Sequence, residues 1–185
     1  MNPAFVNRFF GLITLLIIVV DIGLVVLLLG RRRSALLQSA SDRLDDLFGG
    51  STLWIASAIA LGATVGSLFY SEVIGFNPCH LCWYQRIVWY PLVVVLPIAA
   101  HRKDTRISTY TLPVVAIGWG IAAYQYTLQN FPSLDTGVCN PDAPCTLRWV
   151  WELGFISIPM MSLAGLTLVG LLLLWARTST RQEHE

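Results

Sequence analysis

Residues 107–128 read ISTYTLPVVAIGWGIAAYQYTL, from Ile107 to Leu128, without one charged side chain. A helix needs about 20 predominantly apolar residues to cross the hydrocarbon core of a bilayer, and this stretch meets that requirement. Four more runs stand beside it: Phe9–Leu29 with one charge, Asp21; Leu53–Ile74 with Glu72 near its end; Trp83–Ala100 with Arg86 near its start; and Ser157–Ala176 with none. Hydrophobic residues make up 55% of the 185-residue chain and charged ones 12%, with a mean hydropathy of +0.63. Soluble domains carry about 25% charged residues. The net charge of +1 provides no basic field to hold nucleic acid, and the apolar content excludes disorder. An all-α integral membrane protein follows, with no room for a separate soluble domain.

The first run is too long for the apolar core of a signal peptide, about 7–15 residues, and no A-x-A-like site follows it. Arg31, Arg32 and Arg33 come next and read as a stop-transfer flank, so the run is expected to remain as a helix. Arg31–Gly50, with Asp42, Arg43, Asp45 and Asp46, reads as a polar linker or a short surface helix. The expected division is a transmembrane helix and cytoplasmic linker over 1–50, a helical bundle over 51–177 and a cytoplasmic tail over 178–185.

Short loops rich in Lys and Arg mark the cytoplasmic side. If all five runs span, nine basic residues share one side: Arg31, Arg32, Arg33, Arg43, Arg102, Lys103, Arg106, Arg177 and Arg181. The amino terminus is then outside and the carboxyl terminus inside. All four cysteines fall on the outer side, which is oxidising in bacteria: Cys79 and Cys82 where the third helix begins, Cys139 and Cys145 in the loop before the fifth.

Cys79-His80-Leu81-Cys82 is a C-x-x-C pair, used either for half a zinc site or as a redox dithiol. Asn77 is a good N-cap and Pro78 suits the first helical position, which places the pair in the first helical turn, where free amides stabilise a thiolate. An inert disulfide across so short a loop would staple almost nothing. Arg86 lies one turn beyond Cys82 on the same face. A lone Arg just inside a span usually serves something: it can snorkel to the interface, stabilise the Cys82 thiolate, or bind the carbonyl oxygen of a quinone. His80 between the cysteines reads as an incidental surface residue.

The second pair is set in Cys139-Asn140-Pro141-Asp142-Ala143-Pro144-Cys145, whose prolines and Asn-Pro step make a compact turn. Closing it stabilises by about 2 kcal/mol in the chain-entropy model, which a membrane bundle scarcely needs. A strained, exposed disulfide exchanges readily, which favours a working disulfide over a staple. Leu147–Phe155, rich in Trp, is expected to form a short amphipathic helix on the outer surface that holds the loop near the first pair. The spacings Gly62/Gly66 and Ala116/Gly120 suggest close helix packing, Pro91 and Pro97 can kink the third helix, and Asp21 has no partner legible in the sequence.

The chain resembles the disulfide bond formation protein B family, DsbB, and especially its BdbC-type branch. The resemblance rests on Pro78-Cys79-His80-Leu81-Cys82-Trp83-Tyr84-Gln85-Arg86, Tyr90-Pro91, Tyr124-Gln125-Tyr126, Cys139 through Pro144-Cys145-Thr146, and Gly154-Phe155-Ile156-Ser157-Ile158-Pro159. It covers about Gly66 to Trp175. It implies a four-helix transmembrane bundle, here with an extra N-terminal transmembrane helix, in the bacterial inner membrane. Such a bundle would reoxidise an extracytoplasmic, DsbA-like thioredoxin-fold thiol oxidase and hand the electrons to ubiquinone or menaquinone. By the same resemblance, electrons pass from the partner to Cys139–Cys145, then to Cys79–Cys82, then to quinone. Cys139 takes the partner's thiol, and Cys82 faces the quinone that Arg86 holds. The best-known branch has a longer interval between its loop cysteines and an acidic residue where Gln85 stands; both departures fit the BdbC-type branch. The family lacks Met1–Gly50. Helix position alone favours Cys79 as the thiolate by about 0.3–1 kcal/mol, whereas the resemblance assigns the quinone side to Cys82, and proximity to the substrate can outweigh so small a term.

A vitamin K epoxide reductase-like protein has the reverse order, loop pair before C-x-x-C. A transmembrane reductant conduit would need cysteines within its spans. A membrane adaptor holding zinc on the four cysteines is the reading from another class; no metal is expected at the redox site.

Overall fold

A computed structural model of the protein describes residues 3–31, 33–135, 137, 139 and 143–182. Among the described residues, six α-helices carry the chain: α1 (Pro3–Gly30), α2 (Ala35–Phe48), α3 (Thr52–Leu68), α4 (His80–Arg102), α5 (Ser108–Asn130) and α6 (Ile158–Gln182). Inside a bilayer every backbone N–H and C=O must find an internal partner, which a helix provides within its own segment. The five apolar runs accordingly become five helical segments long and apolar enough to cross a membrane. Among the described residues the sole β pairing is an isolated bridge between Glu152 and Ile156.

The core lies where α3, α4, α5 and α6 meet. Leu92 and Leu96 of α4, Ala56 and Ala60 of α3, Ala122 of α5, and Leu166, Val169 and Leu173 of α6 pack there. Ala56 and Ala60 are wholly enclosed, because small side chains let neighbouring helices approach closely, the main source of association between helices in lipid. The small-residue pattern in α5 differs from expectation. Ala116 and Gly120 are exposed, and a Cβ on Gly120 would meet nothing within 4 Å. Gly118 is the packed position, where a Cβ would stand 2.7 Å from Val88 Cγ1. In α3 only Gly66 is in close contact, against the ring of Phe10. Spacing identifies a small-residue stripe but not which way the helix is rotated.

The α1 helix lies outside this core, parallel to α6: Gly11 near its start meets Glu152 just before α6, and Arg31 just past its end donates to Thr178 near the end of α6. Most of its large side chains are exposed, while Val6, Thr14 and Asp21 are buried. Asp21 Oδ1 has no hydrogen-bond partner among the described residues. The stretch expected as a linker or surface helix is the helix α2, tied to α6 by a bond from Trp175 Nε1 to Asp45 Oδ1. The helices alternate in direction, so Arg31, Arg33, Arg102, Lys103, Arg106 and Arg177 gather at the end opposite the cysteines.

Candidate functional site

The site begins at the first turn of α4. The expected cap was Asn77 with Pro78 opening the helix; the structure places the cap two residues later. Cys79 is extended (φ −74, ψ 171), and its Sγ accepts a bond from the backbone N–H of Cys82 at 3.3 Å. The thiol therefore does the work usually done by Ser, Thr, Asp or Asn, and Pro78 precedes the cap. The two Sγ atoms lie 2.6 Å apart in the dithiol form. The hydrogen bond with Cys82 and then burial hold the Cys79 thiol well above its ordinary range, more than the amides of Cys82 and Leu81 can offset. Raised in this way, the Cys79 thiol resists ionising, against the preference that helix position alone suggested.

Two glutamines complete the dithiol's surroundings, and sequence reasoning gave neither a role. Gln125 of α5 points Nε2 at both sulfurs, 3.1 Å from Cys79 Sγ and 3.3 Å from Cys82 Sγ. Its Oε1 accepts from Gln85 Nε2 of α4 at 2.6 Å. Both amides are buried, and buried polar groups require partners; each orients the other. The available signals were two amide side chains inside mostly apolar spans and their place in the motifs of the resemblance.

Arg86 is only 5% exposed and does not reach for the interface. Its Nε donates to Ser67 Oγ at 3.0 Å, and its Nη2 to the Ser67 carbonyl at 2.9 Å and to Ser71 Oγ at 2.8 Å. These bonds engage Nε and Nη2 and not Nη1. The guanidinium also lies 5.0 Å from the centre of the Trp83 ring. Ser71 sits on a π-helical turn, Phe69–Val73, that ends α3; such turns recur at functional sites.

Cys139 and Cys145 form a disulfide with Cα atoms 5.8 Å apart. Asn140, Pro141 and Asp142, expected to shape the turn, lie outside the described residues. The loop was expected to be held near the first pair, and the structure packs it down against the bundle. Cys145 is 1% exposed and shares one buried apolar cluster with Cys79, Leu81 and Leu128, with Cys82 and Cys139 packed against it. The two pairs are thus adjacent.

The expected amphipathic helix over 147–155 does not form. Leu153 and Gly154 both adopt positive φ, 51 and 81, and close a turn across the Glu152–Ile156 bridge. Arg148 anchors the segment instead, donating through Nε and Nη2 to the Gln129 carbonyl at 2.9 and 2.5 Å. Gln129 Nε2 returns a bond to the Leu147 carbonyl. The carbonyls at the end of α5 need partners, and the loop supplies them.

A cavity of about 490 Å³ begins at Cys82 and runs down between α1, α3, α4 and α6. Cys82, Gln85, Arg86 and Gln125 line it near the cysteine end, and the rest of the wall is mostly apolar, with Thr14, Ser67, Tyr70 and Ser162 its other polar side chains. Ligand sites typically look like this, apolar with a few placed polar groups.

Two adjacent cysteine pairs at one end of a membrane bundle, one a disulfide and one a dithiol, define a membrane thiol–disulfide oxidoreductase. The sequence model of the family described as "Disulfide bond formation protein DsbB" matches residues 50–177, and the chain belongs to that family. It is 41% identical over 131 residues to "Probable disulfide formation protein C 2" of Bacillus anthracis, a match covering 71% of this chain and 93% of that protein. "Disulfide bond formation protein C" of Bacillus subtilis (strain 168) is 41% identical over 119 residues, covering 63% of this chain and 86% of that one. "Probable disulfide formation protein" of Chlamydia trachomatis is 42% identical over 126 residues, covering 68% and 90%. No solved structure matches the chain. The protein is a multi-pass membrane protein of disulfide bond formation, of the BdbC type.

Proposed function

We propose that the protein reoxidises an extracytoplasmic, DsbA-like thioredoxin-fold thiol oxidase and delivers the electrons to a membrane quinone. The observation that carries this reading is the placement of Cys145 beside Cys79 in one buried cluster, while Cys82 and Arg86 line the cavity. That is a path with a protein-facing end and a lipid-facing end.

Cys139 is the less buried sulfur of the loop pair. A thiolate of the partner attacks it, the Cys139–Cys145 bond breaks, and Cys145 leaves as a thiolate. The partner's second thiol resolves the mixed disulfide and leaves Cys139 and Cys145 as a dithiol. Cys145 then attacks Cys79 of the oxidised C-x-x-C pair, and Cys139 resolves that bond, so the loop disulfide re-forms and Cys79 and Cys82 become the dithiol. To close the cycle this dithiol gives up two electrons and two protons and returns to a disulfide.

The cavity suits a quinone: it is apolar along the membrane, with a guanidinium and amides beside the Cys82 sulfur. A quinone bound there, benzoquinone or naphthoquinone, supplies the two-electron, two-proton acceptor. Arg86, held by Ser67 and Ser71, is placed to donate to a carbonyl oxygen and to favour negative charge on it. Gln125 donates to both sulfurs and holds them in place beside the cavity.

The basic residues at the far end support a cytoplasmic placement of that end and an extracytoplasmic placement of the cysteines, with the amino terminus outside, in a bacterial inner membrane. The test is purified protein mixed with a reduced thioredoxin-fold dithiol protein and a short-tailed quinone. One quinone consumed per partner disulfide formed, over many turnovers, is the expected result. Partner oxidation that stops after the enzyme's own disulfides are spent, with quinone untouched, would defeat the reading.

A further inference from the structure

Residues 1–49 lie outside the family match, yet α1 contributes one wall of the cavity. Phe10, Ile13, Thr14 and Ile17 face it from α1, across from Gly62 and Gly66 of α3. The outer half of α1 is fitted closely to the bundle. A Cβ on Gly66 would stand 3.2 Å from the Phe10 ring, and a Cβ on Gly11 would stand 3.2 Å from Glu152 Cβ. The Phe10 ring also lies 5.4 Å from that of Tyr70. Thr14, the one polar side chain on this wall, already donates to the Phe10 carbonyl at 2.8 Å, so α1 offers the cavity an apolar surface. The same cavity is continuous with Cys82 and Arg86, so on the quinone reading it is where the electron acceptor would lie.

We propose that α1 is a built-in wall of the quinone site, with Phe10, Ile13 and Ile17 holding the apolar ring face and the first part of the tail against α3. This rests on the quinone reading above. Polar recognition then belongs to the Arg86 end and apolar recognition to α1. Without α1 the same face of α3 would meet lipid, and the ligand would be enclosed on fewer sides. Ligand pockets typically bury most of the ligand's surface, so losing a wall weakens affinity more than it changes the chemistry.

The experiment uses full-length protein in lipid nanodiscs and an azido-benzoquinone with a short alkyl tail, photolysed and mapped by mass spectrometry. Label on both the 10–17 segment of α1 and on α3, displaced by excess unmodified quinone, is expected. Competable label on α3 or α4 but never on α1 overturns the wall and leaves the quinone reading standing. The absence of competable label anywhere overturns both. In parallel, the equilibrium Kd for decyl-benzoquinone is measured for Ile13→Trp and Ile17→Trp, which fill the cavity from α1. Kd is expected to rise about tenfold. Leu12→Trp and Val19→Trp, on the outward face of the same helix, are expected to leave it unchanged. Equal Kd in the inward and outward pairs would also overturn the proposal.

Discussion

Gln125 Nε2 lies 3.1 Å from Cys79 Sγ, bridging α5 to the first turn of α4. The same amide reaches Cys82 Sγ at 3.3 Å and is itself held by Gln85. A donor to sulfur stabilises the reduced pair more than the disulfide, whose sulfurs carry no charge. Gln125→Leu is therefore expected to lower the reduction potential of Cys79–Cys82. A hydrogen bond to a charged group contributes about 1.5–3 kcal/mol, and about 1.4 kcal/mol corresponds to 30 mV for this two-electron couple. A shift of about 30 mV or more to the negative side is expected in a thiol–disulfide redox titration. Gln85→Leu acts through Gln125, so the double variant should fall well short of the sum of the two. An unchanged potential in Gln125→Leu would show that the amide only fills space.

Arg86→Ala is expected to lower kcat/KM for quinone about 100-fold, the scale of losing a placed electrostatic donor, while thermal stability in detergent changes much less. Arg86→Lys should recover little, because a point charge cannot hold the two-point grip on Ser67 and Ser71. Ser67→Ala with Ser71→Ala should give a smaller loss in the same direction. Normal quinone kinetics in Arg86→Ala would reduce the residue to a packing role.

Cys145→Ser is expected to trap the partner on Cys139: Cys139 attacks the oxidised Cys79–Cys82 pair, and the partner's thiolate displaces Cys79 from Cys139, so the two electrons leave on the Cys79–Cys82 dithiol. With Cys145 gone, Cys139 cannot re-form the loop disulfide, and a partner lacking its second cysteine cannot resolve the adduct. Non-reducing gels of Cys145→Ser and Cys139→Ser, each with that partner, read this directly. Adducts on Cys145 and never on Cys139 would reverse the assignment; adducts only on Cys79 or Cys82 would overturn the electron path. The burial of Cys145 beside Cys79 already argues against a globular protein reaching it.

Gly118→Val is expected to destabilise the bundle by about 1–3 kcal/mol, the range for overpacking, since even a Cβ there would stand 2.7 Å from Val88 Cγ1. Gly120→Val, two residues on and facing outward, should be near neutral. Thermal melts of the two proteins in one detergent compare them. Equal melting temperatures would mean that α5 is rotated so that Gly118 does not face Val88.

A cysteine-free variant carrying Ser133→Cys is expected to react with a membrane-impermeant maleimide in intact cells, and Lys103→Cys only after permeabilisation. Both positions are exposed, at opposite ends of the bundle. The reverse pattern would place the cysteines on the cytoplasmic side and end the proposed partner assignment.

The amino-acid sequence alone determined that the chain is a bundle of membrane helices and that both cysteine pairs lie at one end. Both follow from local causes. A run such as Ile107–Leu128 has only a helix open to it in lipid, and alternating crossings carry Cys79 and Cys145 to the same side whatever the packing. Arg86 was legible for the same reason: a charge in an apolar run is visible without knowing its neighbours. Tertiary structure alone decided that Gln125 reaches the sulfurs, that Arg86 turns to Ser67 and Ser71, and that Gly118 rather than Gly120 is packed. It also decided that Arg148 anchors the loop in place of a surface helix, and that Phe10 and Ile17 close a cavity ending at Cys82. Each of these depends on how far one helix is rotated about its axis against another. In a uniformly apolar helix no amphipathic stripe records that rotation, so it is set only when the side chains of distant segments interlock.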